Sequence, residues 1–167
     1  MSASRSPAYV FRPARRADLP RLRAWLDTPE VVRWWGDPQE QAALLEEDMD
    51  EPRMIMRIVC HEGRPFAYAQ DYDVHTWPQA HLSHLPPGSR AIDAFIGDAE
   101  MIGRGHGTAF LRLLAERLTE EGAPIIAIDP DVDNIRARRA YEKAGFRTER
   151  VVETAEGPAV LMTWRKS

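Results

Sequence analysis

Ala91-Ile92-Asp93-Ala94-Phe95-Ile96, then Gly103-Arg104-Gly105-His106-Gly107-Thr108, a run to about Glu121, and Ile125-Ile126-Ala127-Ile128-Asp129 form the stretch that organises this chain. It reads as a strand, a glycine-rich turn, a helix and a second strand. Three glycines at every second position ahead of a helix let the backbone turn tightly with its N–H groups pointing inward. The helix start adds the positive end of its dipole, and the two together suit a phosphate. A flexible turn that merely caps the helix is the plainer reading. A Walker loop requires Lys and Ser/Thr after the last glycine, whereas Gly107 is followed by Thr108-Ala109. The dinucleotide fingerprint requires a glycine where Thr108 stands, although Asp129 mimics its distal acid. The chain before residue 90 also lacks the repeated strand–helix alternation of that fold.

Working outward, Asn134 opens a helix over Ile135–Ala144, followed by strands Arg147–Thr154 and Ala159–Trp164 around a turn at Glu156-Gly157. Upstream, Tyr9–Pro13 is a short strand closed by its proline. Asp18 stands at a natural N-cap before Leu19, Leu22, Trp25 and Leu26, which share one helical face. Pro29 opens a second short helix carrying Val31, Val32, Trp34 and Trp35, and Asp37-Pro38 starts a third that runs to about Asp48. Met54–Cys60 reads as a buried strand, His61–Arg64 as a hairpin turn and Phe66–Tyr72 as an alternating strand. Val74–Ser89, with Pro78, Pro86, Pro87 and Gly88, is a long loop, a kind of segment usually kept for function. Residues 1–8 are small, polar and expected to be loose, and residues 9–167 are expected to form a single domain.

A net charge of −4 argues against nucleic acid as the main partner, since no basic stripe neutralises phosphates, and it suits a polycationic substrate. The lone cysteine, Cys60, has no partner within the chain, which fits a reducing, cytoplasmic setting, and it reads as a small hydrophobe in its strand. No apolar run approaches the length of a membrane span, so no membrane partner is expected. His75, His81 and His84 are spaced as metal ligands could be, but no cysteine or carboxylate pattern accompanies them, and no metal is expected.

Past the second strand the chain reads Asn134-Ile135-Arg136-Ala137-Arg138-Arg139-Ala140-Tyr141-Glu142-Lys143-Ala144-Gly145-Phe146. A Gly-x-Gly-x-Gly turn followed by Asn-x-x-Ala-x-x-x-Tyr-x-Lys-x-Gly-Phe resembles the GNAT superfamily of acetyl-coenzyme A N-acetyltransferases. More narrowly, Val32-Arg33-Trp34-Trp35-Gly36, Tyr68-Ala69-Gln70, Ile92-Asp93 and Gly157-Pro158-Ala159-Val160 resemble the aminoglycoside 6'-N-acetyltransferases, over about residues 9–165. Ile102 departs from the pattern, standing where many members carry Arg or Gln. The resemblance implies an α/β GNAT fold: a mixed, mostly antiparallel sheet of six to seven strands flanked by helices. Its two parallel central strands would splay apart to admit acetyl-CoA. It also implies an antibiotic-resistance activity, direct acetyl transfer in a ternary complex to the 6'-amine of an aminoglycoside, by a monomer or homodimer.

By the same resemblance, Phe95, Ile96, Ile102, Gly103, Arg104, Gly105, His106, Gly107, Thr108, Asn134 and Tyr141 would bind the coenzyme. Asp93 would hold and deprotonate the amine, and Tyr141 would protonate the leaving thiolate. Asp129 would contact the antibiotic, and the chain itself offers the paired aromatics Trp34 and Trp35, with Glu156 or a loop acid such as Asp73, to receive the rest of it. The residues taken alone leave other readings open. Asp93 in an otherwise apolar strand is costly unless it has a purpose, or else it faces solvent. Tyr141 is a proton donor or an aromatic packed at helical spacing. Asn134 is a cap, a ligand or both. Asp129, Asp131 and Asp133 form a cation site or a solvated loop in which Asp133 caps the helix. Trp34 and Trp35 wall a sugar slot or pack against the core. A GNAT enzyme for another amine, a hydroxylysine siderophore precursor or a peptide N-terminus, is the alternative activity, and a non-catalytic acyl-coenzyme A binding module is the alternative class.

Overall fold

Alternation of apolar and polar positions over short β-branched and aromatic runs produces seven strands, and a computed structural model describing residues 8–166 shows how they pair. The strands are β1 (Tyr9–Pro13), β2 (Ile55–His61), β3 (Arg64–Asp73), β4 (Arg90–Ile96), β5 (Ile126–Ile128), β6 (Arg147–Thr154) and β7 (Gly157–Trp164). They form one sheet in the order β1-β2-β3-β4-β5-β7-β6, antiparallel throughout except for β4 and β5. Of the stretch expected to be loose, residues 1–7 lie outside the described residues.

Among the described residues, five α-helices cover the sheet: α1 (Leu19–Leu26), α2 (Pro29–Trp35), α3 (Pro38–Asp48), α4 (His106–Glu120) and α5 (Ile135–Ala144). Because strand side chains alternate between faces, the sheet has two cores. Met56, Ile58, Tyr68, Tyr72, Ala91 and Phe95 pack under α1–α3. Val59, Ala69, Ile92, Ile126 and Ile128 pack under α4 and α5. The reading of β2 as a wholly buried strand is corrected at its start, where Ile55 is exposed.

Asp18 does not cap α1 through its side chain. Its carboxylate instead takes two hydrogen bonds from the Arg12 guanidinium, at 2.6 and 2.8 Å, and one from the Arg15 amide. A fork-shaped cation matches both carboxylate oxygens at once, which outweighs a single capping bond. Asp133 likewise leaves the start of α5 to Asn134, whose side-chain oxygen accepts the Ala137 N–H at 3.2 Å.

The feature that positions the site is the brevity of the parallel pair. Only Arg90–Ile126 and Ala91–Ala127 are in register, after which β4 and β5 diverge. Beyond this apex the backbones open into a V. The second strand expected over Ile125–Asp129 therefore shrinks to Ile126–Ile128. At the far end of β4, Gly97 admits the indole of Trp25, since a Cβ there would sit 2.1 Å from Trp25 Cγ.

Candidate active site

The register fixes what faces what. Asp93 stands two residues beyond Ala91 and Asp129 two beyond Ala127, so both carboxylates occupy matching positions on the two diverging arms. Both face the α1–α3 side, as Ala91 and Ala127 do. Asp93 Oδ2 accepts a 2.9 Å hydrogen bond from Gln70 Nε2, directly across on β3. The buried Tyr68 hydroxyl donates to Gln70 Oε1 at 2.6 Å and so fixes which end of the amide meets the acid. Surrounding protein atoms strip water from Asp93 and Asp129 adds a like charge, and together they push its carboxyl up to about 7 despite the Gln70 bond.

A cleft of about 550 Å³ runs between the far end of β4 and α5, a volume suited to a small ligand or a coenzyme arm. Ala94, Phe95 and Ile96 form one wall, Asn134, Ala137, Ala140 and Tyr141 the facing one, and Trp34 and Trp35 reach in from α2. Asp93 lies one residue beyond this lining, toward the apex. The Tyr141 hydroxyl makes no hydrogen bond to another described residue. Burial, then the charges of Asp93 and Asp129, push the Tyr141 phenol well above its usual range, so it stays protonated.

At the mouth of the cleft, Gly103 and Gly105 have φ of +76° and +84°, the left-handed region that favours glycine. Gly105 is the N-cap of α4. Among the described residues, no acceptor takes the backbone N–H groups of Gly103 through Thr108, the unpaired donors expected at a helix start. An unpaired row of donors on the lip of an apolar cleft fits a pyrophosphate followed by a thioester arm. Gly107 differs from the other two, lying inside the first turn of α4 without a positive φ.

Arg104 and His106 do not line the cleft. His106 turns its ring away, Nδ1 lying 2.7 Å from the Tyr9 hydroxyl and the ring 4.7 Å from that of His61. Ile102, Thr108 and Asn134 are all in the lining. Thr108 Oγ1 also donates to Ala140 O at 2.9 Å, tying α4 to α5.

Among the acceptor-side residues, Trp35 packs edge-on against Phe95 at 5.0 Å and Tyr68 at 6.4 Å, while Trp34 carries the Arg33 guanidinium over its ring. Trp35 thus both packs and walls the cleft. Glu156 sits exposed at the β6–β7 turn, near enough for its charge to raise Asp93 and Tyr72. Asp73 is a correction. It falls on the opposite face of β3 from Gln70, and its Oδ1 accepts the His75 and Thr76 amides. An acid two residues before an exposed turn finds local amides more readily than a distant substrate.

The residue that the sequence reading missed is His81. The loop histidines do not converge: His75 Nε2 meets Leu85 O at 2.7 Å, His84 Nε2 meets Glu149 at 3.4 Å, and His81 Nε2 meets Asp129 Oδ2 at 2.7 Å. His81 was visible as a loop histidine, but nothing local in the sequence pairs it with an acid 48 positions away.

A family model described as an acetyltransferase (GNAT) domain matches residues 14–154. The chain is 35% identical over 158 residues to the aminoglycoside N(6')-acetyltransferase type 1 of Klebsiella pneumoniae, covering 87% of this chain and 77% of that protein. Among solved structures, aminoglycoside acetyltransferase AAC(6')-Ib with ribostamycin and coenzyme A matches at a TM-score of 0.86 and 32% identity, over 95% of this chain and 94% of that one. Its complex with coenzyme A and kanamycin matches at 0.83 and 33%, over 95% of each chain. With the splayed parallel strands, the glycine turn and these likenesses in hand, the chain belongs to the GNAT acetyltransferase family.

Proposed function

We propose that this enzyme transfers the acetyl group of acetyl-CoA to the 6'-amine of an aminoglycoside, by direct attack in a ternary complex, and so confers resistance. The observation that carries the reading is the pair of carboxylates, Asp93 and Asp129, at matched positions just beyond the point where β4 and β5 part, with the Asp129 charge felt by Asp93. Two acids forced together away from water are costly, and a polycation is the ligand that offsets the cost. The similarity to an aminoglycoside N(6')-acetyltransferase supports the same substrate class.

The coenzyme supplies an activated thioester. The donors from Gly103 to Thr108 would hold its pyrophosphate, and Phe95, Ile96 and Tyr141 would flank the arm. An alkyl-ammonium must lose a proton before it can attack, and a carboxylate titrating near neutrality is matched to that task. Asp93 therefore orients the 6'-ammonium and takes its proton. The nitrogen forms a bond to the acetyl carbon, the carbon–sulfur bond breaks, and Tyr141 gives its proton to the departing thiolate. Asp129, Glu156 and the two tryptophans hold the remaining rings.

Detection of free thiol tests this reading. Kanamycin or tobramycin should release coenzyme A, and analogues with a 6'-hydroxyl should not. An enzyme that ignores every 6'-amino compound yet acetylates a hydroxylysine or a peptide would overturn it.

A further inference from the structure

The loop over residues 74–89 is fastened down at several points. Leu82 and Leu85 are buried, Gln79 Nε2 donates to the Tyr72 hydroxyl at 2.6 Å, and His81 reaches across to Asp129. His81 is one of few buried polar side chains, at 9% exposure. An imidazole is not held there by hydrophobicity, so its placement has to be explained by its partner.

That partner is the acid on the arm opposite Asp93, close enough for its charge to raise the Asp93 carboxyl. Asp129 Oδ2 is engaged at 2.7 Å, while Oδ1 has no hydrogen-bond partner among the described residues. Asp129 lies between the last paired residue of β5 and the Asp131–Ala159 bridge to β7, so its backbone is held while its side chain stays free to turn. A short side chain at a strand end has rotamers to spare, and with Asp93 nearby on the other arm, repulsion favours those that swing it away. The imidazole N–H opposes that swing.

We propose that His81 is a positioning residue of the acceptor site: by holding one oxygen of Asp129 it presents the other to a second ammonium of the substrate. This rests on the function proposed above. It makes loop 74–89 a determinant of acceptor affinity without any contact between His81 and the reacting atoms. His81→Gln places an amide N–H near the position of Nε2 and should keep the hydrogen bond, whereas His81→Leu removes it at similar bulk.

Steady-state kinetics on both variants, alone and in an Asp129→Asn background, tests the inference. His81→Leu should raise the acceptor KM about 10- to 150-fold, the usual weight of a hydrogen bond to a charged group. Its kcat and its KM for acetyl-CoA should stay within about threefold, and His81→Gln should restore the acceptor KM. In the Asp129→Asn background the Leu substitution should add nothing, because its route to the substrate is gone. If His81→Leu does not fold, His81→Asn, whose amide falls short of Asp129, takes its place. An unchanged KM, a rise that persists without the Asp129 charge, or a Gln variant as impaired as Leu would each overturn the proposal. A wild type that acetylates no 6'-amine would overturn the function and this inference with it.

Discussion

A carboxylate crowded by protein atoms and facing a second acid is poorly stabilised when ionised, and the fold holds Asp93 in that condition. Its folded carboxyl titrates above its unfolded value of about 3.9. Its contribution to stability is therefore fully present below about pH 4 and is lost as pH rises through about 7. Asp93→Asn should abolish most turnover, by at least about 100-fold, since an amide does not accept the amine's proton. The same variant should be more stable than wild type at pH 8, by of order 1–2 kcal/mol after discounting for solvent access, and nearly equal to it at pH 4. Thermal unfolding at the two pH values checks this, and a variant less stable at pH 8 would contradict it. Wild-type kcat/KM should carry a limb rising with pH through about 7 that the variant lacks. Tyr141→Phe should lower kcat by roughly tenfold to a thousandfold with coenzyme affinity nearly unchanged. Loss of thermal stability at constant kcat would instead make Tyr141 a packing residue against Phe146, 6.3 Å away.

At the scale of elements, the glycine turn and the V do the positioning. Gly105 takes a left-handed φ to start α4, whereas Arg104 stands outside the cleft lining. Gly105→Val should weaken acetyl-CoA binding about tenfold or more, since a β-branched residue in that region is strained by about 1–2 kcal/mol. Arg104→Ala should stay within about threefold, its charge being screened. Calorimetry that ranks Arg104→Ala as the worse of the two would remove the backbone-cradle account. Much at this scale was legible in the chain itself. Pro29, Pro38 and the Asn134 start mark three helices, and the alternation in Phe66–Tyr72 marks a strand, because these signals are local. The capping role of Asp18 was misread because its competing partner, Arg12, lies on another element. The shortness of β5 was equally hidden, since the divergence of two strands depends on what packs between them. Asp93 and Tyr141 were legible through motif spacing. His81 and the diversion of Asp73 were not, because a loop's conformation decides both.

At the scale of the whole molecule, the two faces of the sheet do different work. The α1–α3 face carries Asp93, Asp129 and the aromatic wall. The opposite face anchors the sheet to α4, and near the end of that helix Asp71, fully buried, is paired with both Arg57 and Arg90. Asp71→Asn would leave two half-buried guanidiniums without their counter-charge, and is expected to cost about 2–4 kcal/mol of stability. Chemical denaturation would register this as a lower midpoint, with kcat per folded molecule little altered. The position that receives the acetyl group decides what this enzyme does. The direct measurement is tandem mass spectrometry of kanamycin after incubation with the enzyme and acetyl-CoA. The expected result is a single added acetyl group on the ring that bears the 6'-amine, missing from a 6'-hydroxyl analogue treated identically. Acetyl found on another ring, or on neither compound while a different amine is acetylated, would contradict the central claim.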